Sequence, residues 1–389
     1  MLWISVVGAG ILGTAHALAL SKRTDAAVVA ICDLRLDAAR ALAMQVGAQA
    51  FSSVDEMLSH HAPDLVVVAT PDAQHLQPTL CAIDSGVPNI LQEKPLATNL
   101  TDARAIHEAV ERSGVHLYVN YANRTAPLDI ATCHTIREGL IGPIVYGDIR
   151  LDDNISVPTA LWGARSRDWA GASSPAHFLL SHVVDLVRWY LHPAEITEVY
   201  ALKQQRVLGY TPDLYDAYLL LDTGARVRIK AEWIRHMDEL VEFYLSFSGA
   251  EGTLIYNKLP GFGTRSGWRA NLSPTVTMEQ LLAHQQLLAR SGAHLRGVVD
   301  RGAPGDPHGP ACGDRLPLAL EAYDHPIGDP MALTHSVVDA ILAGDPHPES
   351  WRGPGPLPNH VDGLKQSLTV AAIVLSAEKG QPVTLSDLA

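Results

Sequence analysis

Cysteine is scarce in this chain. Only four of its 389 residues are cysteines, Cys32, Cys81, Cys133 and Cys312, and they lie far apart with no CxxC pair among them. That spacing excludes a disulfide framework and a zinc site, and it fits a protein of the reducing cytoplasm. Basic charge is also short. Lys and Arg number 29 against 42 for Asp and Glu, and the net charge of −13 repels phosphate backbones and anionic lipid. Neither nucleic acid nor a membrane surface is therefore expected as a partner. No stretch reaches the roughly 18 uninterrupted apolar residues that a membrane span requires, because polar residues, Gly or Pro break each one. The apolar opening from Met1 to Leu20 has no basic leader region and carries three spaced glycines, so it reads as strand, turn and helix rather than as a signal peptide. Internal repeats and charge blocks are absent as well.

What is present is the composition of a globular protein, 47% hydrophobic and 18% charged, with the length of two domains. Apolar runs at Trp3 to Val7, Ala27 to Cys32, Leu65 to Ala69, Asn89 to Gln92 and His116 to Asn120 read as buried strands. Helical periodicity separates them at Leu36 to Val46, Leu76 to Asp84 and Asp102 to Arg112. That alternation predicts an α/β domain with a doubly wound parallel sheet, of the Rossmann type, over 1–123. Beyond it, strands at Ile144 to Leu151, Ile196 to Leu202, Tyr215 to Leu221, Arg226 to Trp233 and Val241 to Phe247 alternate in the antiparallel manner, two of them flanking the short connection Asp222-Thr223-Gly224. Helices are expected at Pro175 to Leu191, Met331 to Ala343 and Val361 to Glu378, making 124–389 an α+β domain with a large, mostly antiparallel open sheet. Residues 291–316, rich in Gly, Pro, Asp and Arg, read as a long loop or insertion.

The run Gly8-Ala9-Gly10-Ile11-Leu12-Gly13 follows the first strand and opens a helix. A dinucleotide pyrophosphate needs close backbone approach and free amides at a helix N-terminus, which this turn supplies. A GxGxxG pattern alone can also be a turn that binds nothing, but here Asp33 stands twenty residues after Gly13 at the end of the second strand. Its carboxylate can accept hydrogen bonds from ribose hydroxyls and would repel a 2′-phosphate, which favours NAD. Leu34 and Arg35 join the expected cofactor-binding set, and Arg35 leaves NADP admissible. Thr70, Pro71 and His75 follow a strand end, where open α/β sheets hold ligands. Gln92-Glu93-Lys94-Pro95 ends another strand. An ammonium there can bond a substrate oxygen and help move a proton, although on spacing alone Lys94 reads more readily as a surface salt-bridge partner.

Together GxGxxG, Thr70-Pro71 with His75, Glu93-Lys94-Pro95 and Asn120-Tyr121-Ala-Asn-Arg124 resemble the glucose/fructose oxidoreductase and inositol dehydrogenase family, Gfo/Idh/MocA. The likeness extends through Gly142-Pro143-Ile144 to the closing Asp362-Gly363 and Ser376-Ala377-Glu-Lys-Gly380. It implies an NAD(P)-dependent oxidoreductase acting on a sugar, inositol or polyol, with a C-terminal sheet that binds substrate and mediates homo-oligomerisation. It further implies that Lys94 is catalytic, with Glu93 and Asn120 toward the cofactor and Tyr121 and Arg124 toward the substrate. The segment Ser181-His182-Val-Val-Asp185 resembles the family's catalytic-histidine helix. Asp185 lies on the same helix face as His182 and can orient the imidazole, although an isolated histidine is more usually one satisfied by its neighbour. Trp162, Arg165, Arg167 and Trp169 mix aromatic faces and donors suited to a sugar ring, as ordinary loop packing also does.

The pattern departs from many polyol dehydrogenases of the family at Phe178, where they carry an Asp four residues before the histidine. His177, Ser173 or Ser174 can stand in for it. No metal site is expected, since His308, near Cys312 and Asp314, has no ligand spacing. Three functions compete: a dehydrogenase or reductase, with Lys94 and His182 in proton transfer; a glycosidase or lyase that oxidises a ring carbon transiently and eliminates a leaving group; and a non-catalytic dinucleotide sensor, against which Lys94 and His182 argue.

Overall fold

The computed structural model describes residues 1–299 and 318–388. In chain order the elements begin β1 (Leu2–Val7), α1 (Ile11–Leu20), β2 (Ala26–Cys32), α2 (Leu36–Val46), β3 (Gln49–Phe51), α3 (Val54–His60), β4 (Leu65–Val68), α4 (Leu76–Asp84), β5 (Asn89–Glu93), α5 (Leu100–Ser113) and β6 (His116–Asn120). There follow α6 (Pro127–Arg137), β7 (Ile144–Asn154), α7 (Ser156–Thr159), α8 (Ser166–Ala172), α9 (Pro175–Phe178), α10 (Leu180–Leu191), β8 (Ile196–Gln204), β9 (Leu214–Leu221), β10 (Arg226–Arg235), β11 (Val241–Gly249), β12 (Thr253–Leu259) and β13 (Gly267–Asn271). The remainder is α11 (Met278–Arg290), β14 (Arg296–Val299), β15 (Leu318–Tyr323), α12 (Ala332–Ala343), α13 (His360–Lys379) and β16 (Val383–Thr384). The chain clusters into two compact units. One holds 1–122, 329–351 and 355–371; the other holds 123–328, 352–354 and 372–389.

In the first unit the described strands form a parallel sheet in the order β3-β2-β1-β4-β5-β6. The run Leu65-Val-Val-Val68 is too short for a helix and is buried throughout, as a central parallel strand must be. Its alternate side chains feed two apolar layers. Leu65 and Val67 join Ile4, Val6, Leu20 and Leu91 on one face, where α12 adds Leu333 and Val337; Val66 and Val68 join Val7, Ile83, Ile90 and Ile106 on the other. Each such side chain contributes about 2 kcal/mol when fully buried. Winding outward through β2 and β3 and then returning to β4 puts the strand-order reversal between β1 and β4. In open α/β sheets ligands sit outside the strands' carboxyl ends at that reversal.

In the second unit the described strands form one sheet, β14-β15-β13-β12-β11-β7-β10-β9-β8-β16. Neighbours run antiparallel except β7 and β10, which pair in parallel, Ile149 opposite Ile229. Helix α10 packs on β7 and β10 and against α6. The helix expected from Pro175 to Leu191 is two helices broken at Leu179; Ser174 caps the first by accepting from the His177 amide. The expected loop at 291–316 contains strand β14 and otherwise lies mostly outside the described residues, as do His308, Cys312 and Asp314.

Candidate active site

The turn after β1 is shaped by what a side chain would strike. A Cβ on Gly13 would lie 1.8 Å from the Gly8 carbonyl oxygen, and one on Gly8, whose φ is +104°, would lie 2.4 Å from that of Ala69. A Cβ on Gly10 would meet nothing within 4 Å. Gly8 and Gly13 thus close the turn onto itself, while Gly10 faces open space. Gly10 precedes α1 without a side-chain cap, so the first amides of the helix, with Ile11 and Leu12 exposed, remain for an anion. Asp33 accepts from the amides of Ala9 and Arg35, each at 2.8 Å, one on each carboxylate oxygen. Leu34 is exposed, and the Arg35 guanidinium lies 3.5 Å from Asp33.

At the ends of β4, β5 and β6 several expected residues are supports. His75 is 1% exposed, with Nδ1 2.7 Å from the Pro95 carbonyl and Nε2 3.1 Å from that of Thr70. It braces the loop that carries Thr70 and Pro71 instead of presenting its ring to a ligand, and burial holds its pKa below the usual histidine value. Glu93 is likewise buried, and its Oε1 receives His16 Nε2 at 2.8 Å and Asn120 Nδ2 at 2.7 Å. Burial raises the Glu93 pKa, but the hydrogen bonds from His16 and Asn120 and the nearby Lys94 charge outweigh it and hold the carboxyl below its ordinary range. Asn120 Oδ1 is buried and has no partner among the described residues. That acceptor, the open cradle at Gly10 and the pinned Asp33 fit a dinucleotide that brings amide donors, a pyrophosphate and ribose hydroxyls. Lys94 is buried at the carboxyl end of β5. Tyr121, expected toward the substrate, is 1% exposed, and its hydroxyl donates to Gln366, which makes it a core residue.

In the second unit His182 is half-buried in the first turn of α10. Asn123 Nδ2 lies 3.2 Å from its Nδ1, and Asn123 Oδ1 accepts from Lys258 Nζ at 2.6 Å. Lys258 also donates to Asp129 at 2.6 Å, and Asp129 accepts from the Tyr190 hydroxyl at 2.5 Å. Burial and the Asp129 charge push the Tyr190 pKa far up, so it stays a donor. Asp185, expected to orient His182, takes a two-pronged pair from Arg124 at 2.6 and 3.0 Å, both residues buried. A planar guanidinium matches two carboxylate oxygens at once, which is why Arg124 turns to Asp185. Asn123, Asp129, Tyr190 and Lys258 were not singled out from sequence. Asn123 sits inside a noted motif; the other three carried no local signal.

Phe178 is part of an aromatic wall. Its ring centroid lies 4.8 Å from that of Trp169, which in turn lies 4.1 Å from Trp162 and 5.3 Å from Trp233. Trp233 is fully buried, and its Nε1 has no partner among the described residues. His177 Nδ1 lies 2.8 Å from Ser174 Oγ, and Arg165 is exposed. One His/Glu group among the described residues could surround a cation, His107, Glu111 and His360, but a 2.8 Å hydrogen bond between Glu111 and His360 already accounts for the approach.

A fold in which a glycine-cradled parallel sheet is joined to a broad mixed sheet defines a class of dinucleotide-dependent oxidoreductases, and comparison with known proteins makes it specific. Residues 2–121 match the oxidoreductase family with an NAD-binding Rossmann fold, and residues 132–255 match the Gfo/Idh/MocA C-terminal domain. The chain belongs to the Gfo/Idh/MocA family and is an NAD-dependent oxidoreductase. It is similar to inositol 2-dehydrogenase from Cereibacter sphaeroides, 28% identical over 324 residues that cover 82% of this chain and 91% of that protein. It is also similar to D-glucoside 3-dehydrogenase from Escherichia coli, 27% identical over 52% of this chain and 58% of that one. The structure of scyllo-inositol dehydrogenase from Lactobacillus casei with bound NAD(H) and scyllo-inositol shares the fold, with a TM-score of 0.70 at 17% identity over 99% of each chain. No helix among the described residues is long and apolar enough to cross a membrane.

Proposed function

We propose that this chain oxidises a hydroxyl group, or reduces the corresponding carbonyl, on a sugar, inositol or related polyol. The observation that carries this reading is Lys94, a buried lysine at the carboxyl end of β5, next to the anionic Glu93 and a strand from Asn120, whose acceptor oxygen has no partner among the described residues. When bound, NAD supplies the acceptor or donor of a hydride. Gly8, Gly10, Gly13 and the amides of Ile11 and Leu12 would hold its pyrophosphate, and Asp33 its adenosine ribose. Lys94 and His182 serve the hydroxyl proton. Asp185, locked to Arg124, ties α10 to the segment that carries Asn123, so it acts on His182 as a positioning residue. The similarity to inositol and glucoside dehydrogenases supports the substrate class.

The test is a panel of inositols, linear polyols, free sugars and glycosides incubated with the purified chain and NAD, read as NADH absorbance with product analysis. At least one polyol or sugar is expected to give stoichiometric NADH. A chain that binds NAD and turns over none of them, in either direction, would overturn the reading. One feature favours a second route: position 178 contributes a phenyl ring to an aromatic wall, where many polyol dehydrogenases of the family carry a carboxylate. If ring oxidation is transient and followed by elimination, a glycoside releases its leaving group in an NAD-dependent reaction with no net NADH.

The same reading makes the outer face of the ten-stranded sheet an oligomer contact. Tyr146, Tyr200, Leu202, Tyr218 and Ile255 are exposed there, an array of large apolar side chains that a second copy would cover. Light scattering is expected to give a dimer or tetramer.

A further inference from the structure

The reading of His182 as a substrate-facing histidine leaves open which way its proton points, and the chain carries the answer on β12. We infer that Lys258, acting through Asn123, fixes His182 as the neutral tautomer protonated on Nε2. The histidine then serves the substrate as a hydrogen-bond donor, while the proton released in oxidation is taken by Lys94. This rests on the function proposed above.

The argument follows from what each group can donate. An ammonium has donors only, so the Asn123 atom 2.6 Å from Lys258 Nζ is the carbonyl oxygen. The other arm of the amide, which faces His182 Nδ1 at 3.2 Å, is then the NH2 group, which also only donates. Nδ1 must offer its lone pair, and a neutral imidazole has one N–H, which is left to Nε2. Protonating the ring would set an N–H against an N–H2 and place a second cation beyond the amide from Lys258. The lysine cannot swing away to relieve this: it is 3% exposed, paired to Asp129, whose other oxygen takes the Tyr190 hydroxyl, and stacked 4.9 Å over the Phe243 ring.

Several charged groups on and beneath α10 have partners of their own, and Arg188 of the helix pairs with Glu195. Asp185, on the helix itself, is held by Arg124; on the strands beneath, Lys230 of β10 pairs with Asp152 of β7 and with Glu232. A neutral imidazole that keeps its N–H polarises an oxygen without taking its proton, as in isomerases that use a neutral histidine electrophile. When bound, NAD would take the C–H electron pair as hydride; the Lys94 ammonium, charged beside Glu93 at rest, would give a proton to solvent and then take that of the substrate O–H. His182 keeps its proton throughout. Lys258 and Asn123 are positioning residues.

The test reads the tautomer directly. In the cofactor-free chain labelled with 15N-histidine, two-bond proton–nitrogen correlation spectra identify His182 by the pattern lost in His182→Gln. The Nε2-protonated pattern is expected, held across the pH range where a free histidine titrates. An Nδ1-protonated or doubly protonated ring at neutral pH would overturn the inference. In Asn123→Asp the carboxylate can only accept, so the proton is expected to move to Nδ1, the ring to titrate at higher pH, and turnover to fall at least tenfold with a new limb in the kcat/KM profile. Lys258→Met frees the amide to rotate and is expected to give mixed tautomers; should that variant not fold, Asn123→Asp carries the test alone. An unchanged tautomer in Asn123→Asp would also overturn the inference. If the tautomer behaves as stated but His182→Gln turns over the best polyol normally, the assignment of His182 to the reaction has failed while the tautomer control stands.

Discussion

Asp33 has both carboxylate oxygens turned onto backbone amides, so it is pinned before any ligand arrives. A fixed carboxylate cannot move aside for a 2′-phosphate, and kcat/KM with NADP is expected to be lower than with NAD by roughly tenfold or more, about 1.4 kcal/mol per factor of ten. Comparable values with the two cofactors would contradict this. Lys94→Ala is expected to retain NAD binding, measured by fluorescence titration, while turnover drops roughly a hundredfold or more, as for the loss of a positioned acid/base group. Near-normal turnover would make Lys94 a structural lysine. Phe178 poses a different question, because Trp169 and Trp233 pack around it. Phe178→Asp places a carboxylate among indole rings, and a loss of about 2 kcal/mol or more is expected in denaturant unfolding. A variant that keeps its stability and gains polyol oxidation would show that only this carboxylate was lacking.

At the scale of elements, the glycines divide cleanly. Gly10→Ala fits its backbone, with φ at −83° and no atom in the way, so unfolding is expected to be unchanged while the added methyl fills the cradle and weakens NAD binding. Gly13→Ala drives a methyl into the Gly8 carbonyl and is expected to cost about 1–3 kcal/mol of stability as well as NAD affinity. Equal behaviour of the two variants would sink the distinction. These elements were legible because parallel strands read as unbroken apolar runs punctuated by Gly; the boundaries of α2, α4 and β6 coincide with those read from sequence. Helix α6 was not legible. It buries Asp129 and Thr132, whose partners Lys258, Tyr190 and Trp268 come from distant parts of the chain, and so it lacks a polar face. For the same reason β12 was missed: a lysine in a strand reads as solvated until an aspartate more than a hundred residues away meets it. Local spacing therefore pointed to Gly8 and Asp33, and the family resemblance to Lys94 and His182, whereas the groups around His182 Nδ1 meet only through tertiary distances.

On the scale of the whole molecule, stability should carry the mark of Asp152, which burial, helped by Glu232 and opposed by Lys230, pushes up to about 6. The unfolded carboxyl titrates near 3.9, so between about pH 4 and 6 the folded chain keeps a proton that the unfolded chain has lost, and stability falls as pH rises through that window by about 2–3 kcal/mol. Glu93, held low, acts in the opposite sense and loses its contribution as pH falls. Denaturant titrations of wild type and Asp152→Asn at pH 4, 5, 6 and 7 separate the two, since the difference between the proteins should decline toward pH 7; a constant difference would clear Asp152. The discontinuity of the dinucleotide-binding unit has a consequence during synthesis. Its first 122 residues emerge with one apolar face of the parallel sheet still waiting for Leu333, Val337, Trp351 and Leu357. Roughly 200 residues of the other unit must be made before α12 arrives, a delay of roughly 10–40 s at ordinary translation rates. Throughout that interval α1 and α2 cover only part of that face, and the nascent chain leaves open to water the apolar patch that α12 later closes, although its strands are complete.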